Sequence, residues 1–355
     1  MDGNETIRSI LVYVGNNPDD AIGENVLKLP FLNALCSAYP DARITWIAGV
    51  GPAQFQGVLA NVVDGRIAEF LTDFRLSGDA RELFFRWRPL PGRRFDLIFD
   101  AQRNPVQTLV LRRIPHRIFI SGCWRFFFSD RKPEESLLHP TLLTDKLLGL
   151  AAAAIGRTVR PSAVWPLRAA WIEMAERLLP DGETYVGLAP GAGRQGTGKC
   201  WPLENFLALA RDQQQKGRCP VFFIGPGEIG WIDRIRRDAP FALVPSDTPD
   251  SIGQKEPALA MALARRLSVG VANCSGVGHL LAAGGPPMVS LFGPTRPSKY
   301  APYATDLIAL RAQDFGSTGD ISAIPLEAVI AAVDRQIDRP HARTTAEQPA
   351  ARALP

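Results

Sequence analysis

Residues 271–295 read VANCSGVGHLLAAGGPPMVSLFGPT. The apolar run around Val271 predicts a short strand, Ser275-Gly276 a sharp turn, and the small residues after it a helix. A second strand then ends in Phe-Gly-Pro-Thr. Such a turn leaves backbone N–H groups free at a helix N-terminus, and those donors together with the helix dipole favour a bound phosphate. His279 follows Ser275 by four residues, one helical turn, so it can lie beside the same anion. The segment predicts an anion site for a nucleotide diphosphate.

Working outward, strand and helix patterns alternate along the chain, which predicts α/β layers with parallel sheets. Residues 9–14, 44–48, 95–99 and 117–121 read as buried strands in the first half, with helical patterns at 25–38 and 137–154. The alternation restarts at 185–189, 221–224, 242–244, 268–272 and 288–292, with helices at 203–216, 257–266 and 326–337. The expected architecture is two Rossmann-like domains with parallel sheets facing a central cleft. Residues 1–155 form the first domain, 156–167 (GRTVRPSAVWPL) a linker, 168–337 the second domain, and 338–355 a disordered tail rich in Pro, Ala, Arg and Thr.

The 355-residue length fits two domains, and 46% hydrophobic against 21% charged residues fits a large buried core. No apolar run reaches the ~18 residues of a membrane span, and the N-terminus MDGNETIRS does not read as a signal peptide. Five cysteines without C-x-x-C spacing predict reduced thiols in the cytoplasm and no structural metal. The net charge of +4 is uneven: between Arg81 and Lys132 twelve Lys/Arg stand against four Asp/Glu, interleaved with aromatics in FFRWRPLPGRR and CWRFFFSDRK. That mixture suits an anionic glycolipid or glycan, or peripheral contact with the cytoplasmic face of an inner membrane; the alternative is a solvated face with core aromatics. No nucleic-acid motif accompanies it, and nucleic acid is not expected as a partner.

Three further loops carry candidate chemistry. In APGAGRQGTGKCWPLENF, Gly191, Gly193, Gly196 and Gly198 allow close backbone approach to an anion, with Ala192 in the same loop, and Lys199 adds a point charge. Gly193 to Lys199 satisfies G-x-x-x-x-G-K, but Cys200 stands where a P-loop needs Ser or Thr, and Trp201-Pro202 interrupts the helix expected there. In VGNNPDDAIGENVLKLP, Gly23 and Glu24 open a helix, and Glu24 is either a helix-dipole partner or a general base. Glu228, in IGPGEIG past a predicted strand, either accepts hydrogen bonds from ribose hydroxyls or caps the next helix.

Together these segments resemble glycosyltransferase family 9, the ADP-heptose:lipopolysaccharide heptosyltransferases. IGENVLKLPFLNAL is similar to the family's I-G-D-x-x-x-x-x-P-x-L-x-A-L, and LAPGAGRQGTGKCWPLENFLALA to its Pro-Gly-Ala and Lys-x-Trp-Pro segment. NCSGVGHLLAAGGPPMVSLFGPTRPSKYAPY is similar to its N-D-S/T-G-x-x-H…L-F-G-P-T stretch. The resemblance implies a GT-B fold and an inverting, metal-independent transfer of a sugar, heptose from an ADP-heptose donor, to a lipopolysaccharide core or related glycan. No cofactor is implied beyond the nucleotide-sugar co-substrate. It further implies Glu24 as base, Lys199 on the donor diphosphate, Glu228 on the ribose, and Asn273, Cys274, Ser275, Gly276 and His279 around the phosphates. The sequence departs from the family at Glu24 and Cys274, where Asp is usual, and at Ala189, where His is common. The loop before Glu24 is about four residues longer than usual and offers Asp19 and Asp20 as alternative bases. Cys274 motivates two competing readings: a catalytically lapsed nucleotide- or glycan-binding member, and a GT-B enzyme using another nucleotide sugar.

Overall fold

The computed structural model describes residues 6–15, 21–48, 53–72, 74, 76–84, 89–193, 198–245 and 256–339 of the 355. Asp19, Asp20, Arg86, Arg88, Gly196 and the expected tail beyond 339 lie outside the described residues.

Strands β1 (Ser9–Tyr13), β2 (Arg43–Ile47), β3 (Glu69–Leu71), β4 (Phe95–Asp100) and β5 (His116–Ser121) form one sheet in the order β3-β2-β1-β4-β5. A second sheet holds β6 (Tyr185–Ala189), β7 (Cys219–Phe222), β8 (Leu267–Asn273), β9 (Met288–Phe292) and β10 (Leu307–Arg311) in the order β10-β9-β8-β6-β7. Every pairing between these strands is parallel. The central strands are apolar runs buried on both faces, as helices packed on either side of a parallel sheet require.

This topology sets the site. From β1 the chain winds to β2 and β3 on one side and then to β4 and β5 on the other, so the order reverses between β1 and β4. In the second sheet it reverses between β6 and β8. Loops part company at such points and leave a crevice beyond the carboxyl ends of the strands. The loop to Glu24 follows β1, and Gln102–Arg103 follow β4; the Gly191 loop follows β6, and Cys274–Ser275 follow β8.

The fold is the expected α/β pair, with local differences that have physical causes. The expected strand at 242–244 makes one isolated bridge, Val221 to Leu243, because Pro240 and Pro245 flank it and proline cannot extend a ladder. β3 and β10 were not expected; both are edge strands with half-exposed residues and lack a buried run. The helical pattern at 25–38 divides into Ile22–Val26 and Leu29–Ala38, with Pro30 in the first turn of the second. The helix expected from 137 begins at Leu143, past Pro140. The helix Ala169–Leu178 also went unanticipated, since only Ala175 within it is fully buried.

Trp165, within the stretch expected to link the halves, bonds to both of them. The Trp165 indole N–H donates to the Val62 carbonyl (2.8 Å), and its backbone N–H donates to the Ala283 carbonyl (2.8 Å). An apolar seam joins Val26, Leu29 and Trp165 to Met261, Leu280 and Ala283 in one continuous core. Among the described residues no helix is long and apolar enough to cross a membrane.

Candidate functional site

Asn273, the last residue of β8, holds the second domain's loops in register. Its buried amide donates to the Pro190 carbonyl (2.7 Å) and accepts from the Trp201 backbone N–H (3.1 Å). Both ends of the Gly191 loop are thus tied to one side chain. The Trp201 indole, edge-on to Phe206, donates to the Ile324 carbonyl (2.9 Å). The next helix, Leu203–Gln215, starts only after Pro202, so no helix follows Lys199 directly as a P-loop requires.

Glu228 is buried beneath this loop. A Cβ on Gly191 would lie 2.6 Å from its Cδ, and one on Gly225 would lie 2.7 Å from its Oε2. A side chain at either position would displace the Glu228 carboxylate from its place under the loop. Burial raises the Glu228 carboxyl above its usual range, and the amides of Gly225, Gly193 and Glu228 itself partly offset that. The Ala192 amide faces the Cys200 sulfur, whose thiol burial and Glu228 together push up.

Ser275 caps the helix Gly276–Gly284, its hydroxyl accepting from the Gly278 N–H (3.3 Å). In the first helical turn that leaves the amides of Gly276 and Val277 without an intrahelical acceptor. Beside them Cys274 takes the position where the sequence resemblance leads to Asp. Burial raises its thiol pKa, with the Thr295 hydroxyl and the Lys199 ammonium acting in the opposite direction, so the group is an uncharged thiol at neutral pH. Lys199 is half-exposed and makes no ion pair among the described residues. Thr295 was not singled out in the sequence, although the Phe-Gly-Pro-Thr run that carries it was. It borders an open cavity of about 570 Å³ lined also by Arg296, Ser298, Arg311 and Gln313.

His279 lies where one helical turn from Ser275 puts it, but its imidazole is only 7% exposed and packs against the first domain. Burial lowers its pKa to about 4, so the ring is neutral at pH 7; its Nδ1 has no hydrogen-bond partner. A Cβ on Gly23 would come within 3.0 Å of the His279 ring and 3.3 Å of the Gly276 Cα. Gly23 thus lets the two helix starts, one from each domain, meet. Glu24 follows immediately, half-buried in the first turn of Ile22–Val26.

The two domains together add cations that the sequence did not single out. Lys299 rests over the Tyr300 ring (4.8 Å) and lies within the field of Glu24. Burial, with the like charges of Arg103 and Lys299 adding to it, lowers the Lys146 ammonium, so three cations from three elements lie within one another's field. At the end of β4, buried Asp100 accepts from Thr108 Oγ1 (2.6 Å), Ser121 Oγ (2.7 Å) and the Gln102 N–H (3.0 Å). Desolvation still raises its pKa to about 6.

Residues 86–322 match the model of glycosyltransferase family 9 (heptosyltransferase). The chain is 25% identical over 356 residues to lipopolysaccharide heptosyltransferase 3 of Escherichia coli strain K12, covering 92% of this chain and 98% of that protein. A glycosyl transferase family 9 structure from Veillonella parvula superposes with a TM-score of 0.63 at 20% identity, covering 93% and 97% of the two chains. E. coli heptosyltransferase WaaC with ADP gives 0.61 at 18% identity, covering 92% and 99%. The fold is therefore GT-B, and the chain belongs to glycosyltransferase family 9 (heptosyltransferase) and is a glycosyltransferase.

Proposed function

We propose that the chain moves a heptose from an ADP-heptose-type donor to an anionic lipopolysaccharide-core or related glycan acceptor, with inversion and without a metal. The observation that carries this reading is the meeting of the two switch points at Gly23 and Gly276. Glu24 follows Gly23 directly, Gly276 opens the helix Gly276–Gly284, and Lys199 acts on Cys274, two residues before Gly276, which supports a shared site. The likeness to a lipopolysaccharide heptosyltransferase supports the choice of donor and acceptor.

In this mechanism the acceptor hydroxyl oxygen attacks the anomeric carbon from the face opposite the nucleotide. Glu24 accepts its proton as the new C–O bond forms and the bond to the diphosphate breaks. Negative charge develops on the departing diphosphate, where Lys199 and the amides of Gly276 and Val277 stabilise it. Glu228, held under the glycine loop, faces the ribose hydroxyls. Neutral His279 orders the helix start without adding charge. Arg103, Lys146 and Lys299 receive the acceptor's anionic groups. The reaction takes place on the cytoplasmic side of the membrane that carries the acceptor.

The test is ADP release from ADP-heptose with a Kdo-lipid acceptor, with product configuration read by NMR. Turnover with inversion supports the reading. Nucleotide binding without turnover across a panel of ADP-, GDP- and UDP-sugars would instead establish the lapsed-binder reading motivated by Cys274.

A further inference from the structure

The turn after β5 is built to expose aromatic rings. Trp124, Arg125 and Phe126 have φ values of 46°, 58° and 62°, a left-handed conformation that costs L-residues roughly 1–2 kcal/mol each. Its geometric result is a sharp sorting of side chains. Phe126 is 2% exposed and anchored in the core, whereas Trp124 and Phe127 are 65% and 68% exposed. Together with Phe128 they form a cluster of three rings, with centroids 5.1 to 6.4 Å apart.

A third exposed ring hangs from the same support. At the end of the helix Pro105–Leu111, Arg112 donates to the Phe128 carbonyl (2.6 Å) and pairs with Asp130 (2.5 Å). Its neighbour Arg113 donates to the carbonyls of Glu82 (3.2 Å) and Leu83 (2.7 Å), and the next residue, Phe84, is 86% exposed. Arg125 and Lys132, both exposed, make no ion pair among the described residues.

A projecting, strained tip of this kind buries little area against a rigid protein surface. A bilayer interface yields around it, taking aromatic rings at headgroup depth while its anionic phosphates meet the unpaired cations. We propose that residues 124–128, with Phe84, Arg125 and Lys132, dock the enzyme on a bilayer containing anionic lipid. The turn leaves the carboxyl end of β5, the same sheet edge as the Glu24 loop. β1 lies two strands away, about 10 Å across the sheet. A docked turn therefore brings the acceptor side of the cleft to the membrane; this purpose rests on the lipid-linked acceptor proposed above.

Co-sedimentation of the full chain with vesicles of phosphatidylethanolamine and phosphatidylglycerol tests it, with phosphatidylcholine vesicles as the neutral control. Wild type should bind only the anionic vesicles, and the double variant Trp124→Ser/Phe127→Ser should bind them about tenfold or more weakly with an unchanged melting temperature. Arg125→Glu/Lys132→Glu should lose binding as well, and brominated lipid should quench Trp fluorescence in wild type more than in Trp124→Phe. Absence of vesicle binding by wild type, equal binding by the aromatic double variant, or equal binding to neutral vesicles overturns the proposal. So does a wild-type self-association that the double variant abolishes, which would make the tip a protein interface. ADP release with a delipidated, water-soluble acceptor should be the same in wild type and double variant. Loss of that activity in both would refute the transferase reading and leave the docking result standing.

Discussion

Replacing His279 with Leu should remove a specific part of the protein's acid sensitivity. The unfolded imidazole takes up a proton below its ordinary value of 6.5, whereas burial keeps the folded ring neutral down to about pH 4. Acidification therefore favours the unfolded chain: the stability associated with the neutral ring is whole above pH 6.5 and is lost as pH falls toward 4. A gap of that size corresponds to about 3 kcal/mol in total, of which about 1.4 kcal/mol is already lost at about pH 5.5. Urea unfolding at about pH 7.5 and about pH 5.5 measures this. The substitution itself lowers stability at both pH values through altered packing at the seam, so the quantity that matters is each protein's difference between them. Wild type should lose about 1.4 kcal/mol more than His279→Leu, because other titrating groups act in both proteins. Equal pH differences, or a His279 imidazole NMR resonance, assigned by its loss in His279→Leu, titrating at or above about pH 6, would refute the burial argument. The latter would also return His279 to the role of a charged phosphate ligand.

Lys199→Ala should reduce turnover on the order of a hundredfold or more while leaving thermal melting unchanged, since the ammonium has no ion pair among the described residues. Glu24→Gln should lower kcat by about 10²–10⁴ with donor affinity retained; a wild-type rate would move the base to Asp19 or Asp20. Asn273→Ala removes two buried hydrogen bonds and should destabilise by about 2–4 kcal/mol in urea, with nucleotide affinity falling as the Gly191 loop loses its clamp. Asp100→Asn should flatten the stability profile between about pH 4 and 6. A carboxyl raised to about 6 favours folding while protonated, and that advantage of about 3 kcal/mol fades as pH rises through the interval.

How much of this was legible in the sequence depends on whether a residue's environment is local. The buried strands declared themselves because both faces of a parallel sheet demand apolar side chains, and the Ser275-Gly276 turn declared itself because its geometry is local, the Ser275 hydroxyl accepting from Gly278 three residues on. β3 and β10 escaped because an edge strand needs no continuous apolar run. The site followed the same division. Asn273 was legible as part of a motif, but its partners, Pro190 and Trp201, lie far off in sequence, so its clamping of the loop was not. His279 was placed correctly along its helix, yet its charge state was not legible. That state depends on Gly23, which approaches from the other domain and seals the ring from water. Lys299 lies within the field of Glu24 for the same reason, through the meeting of two halves whose sequences carry no mark of each other. Cys274 brings these limits together. From sequence it is a missing carboxylate; in the fold it is an uncharged thiol that feels both Thr295 and Lys199, and an Asp there would add a negative charge in the field of that lysine. With a neutral thiol there, Lys199 makes no ion pair among the described residues, and in the proposed mechanism its whole charge bears on the departing diphosphate.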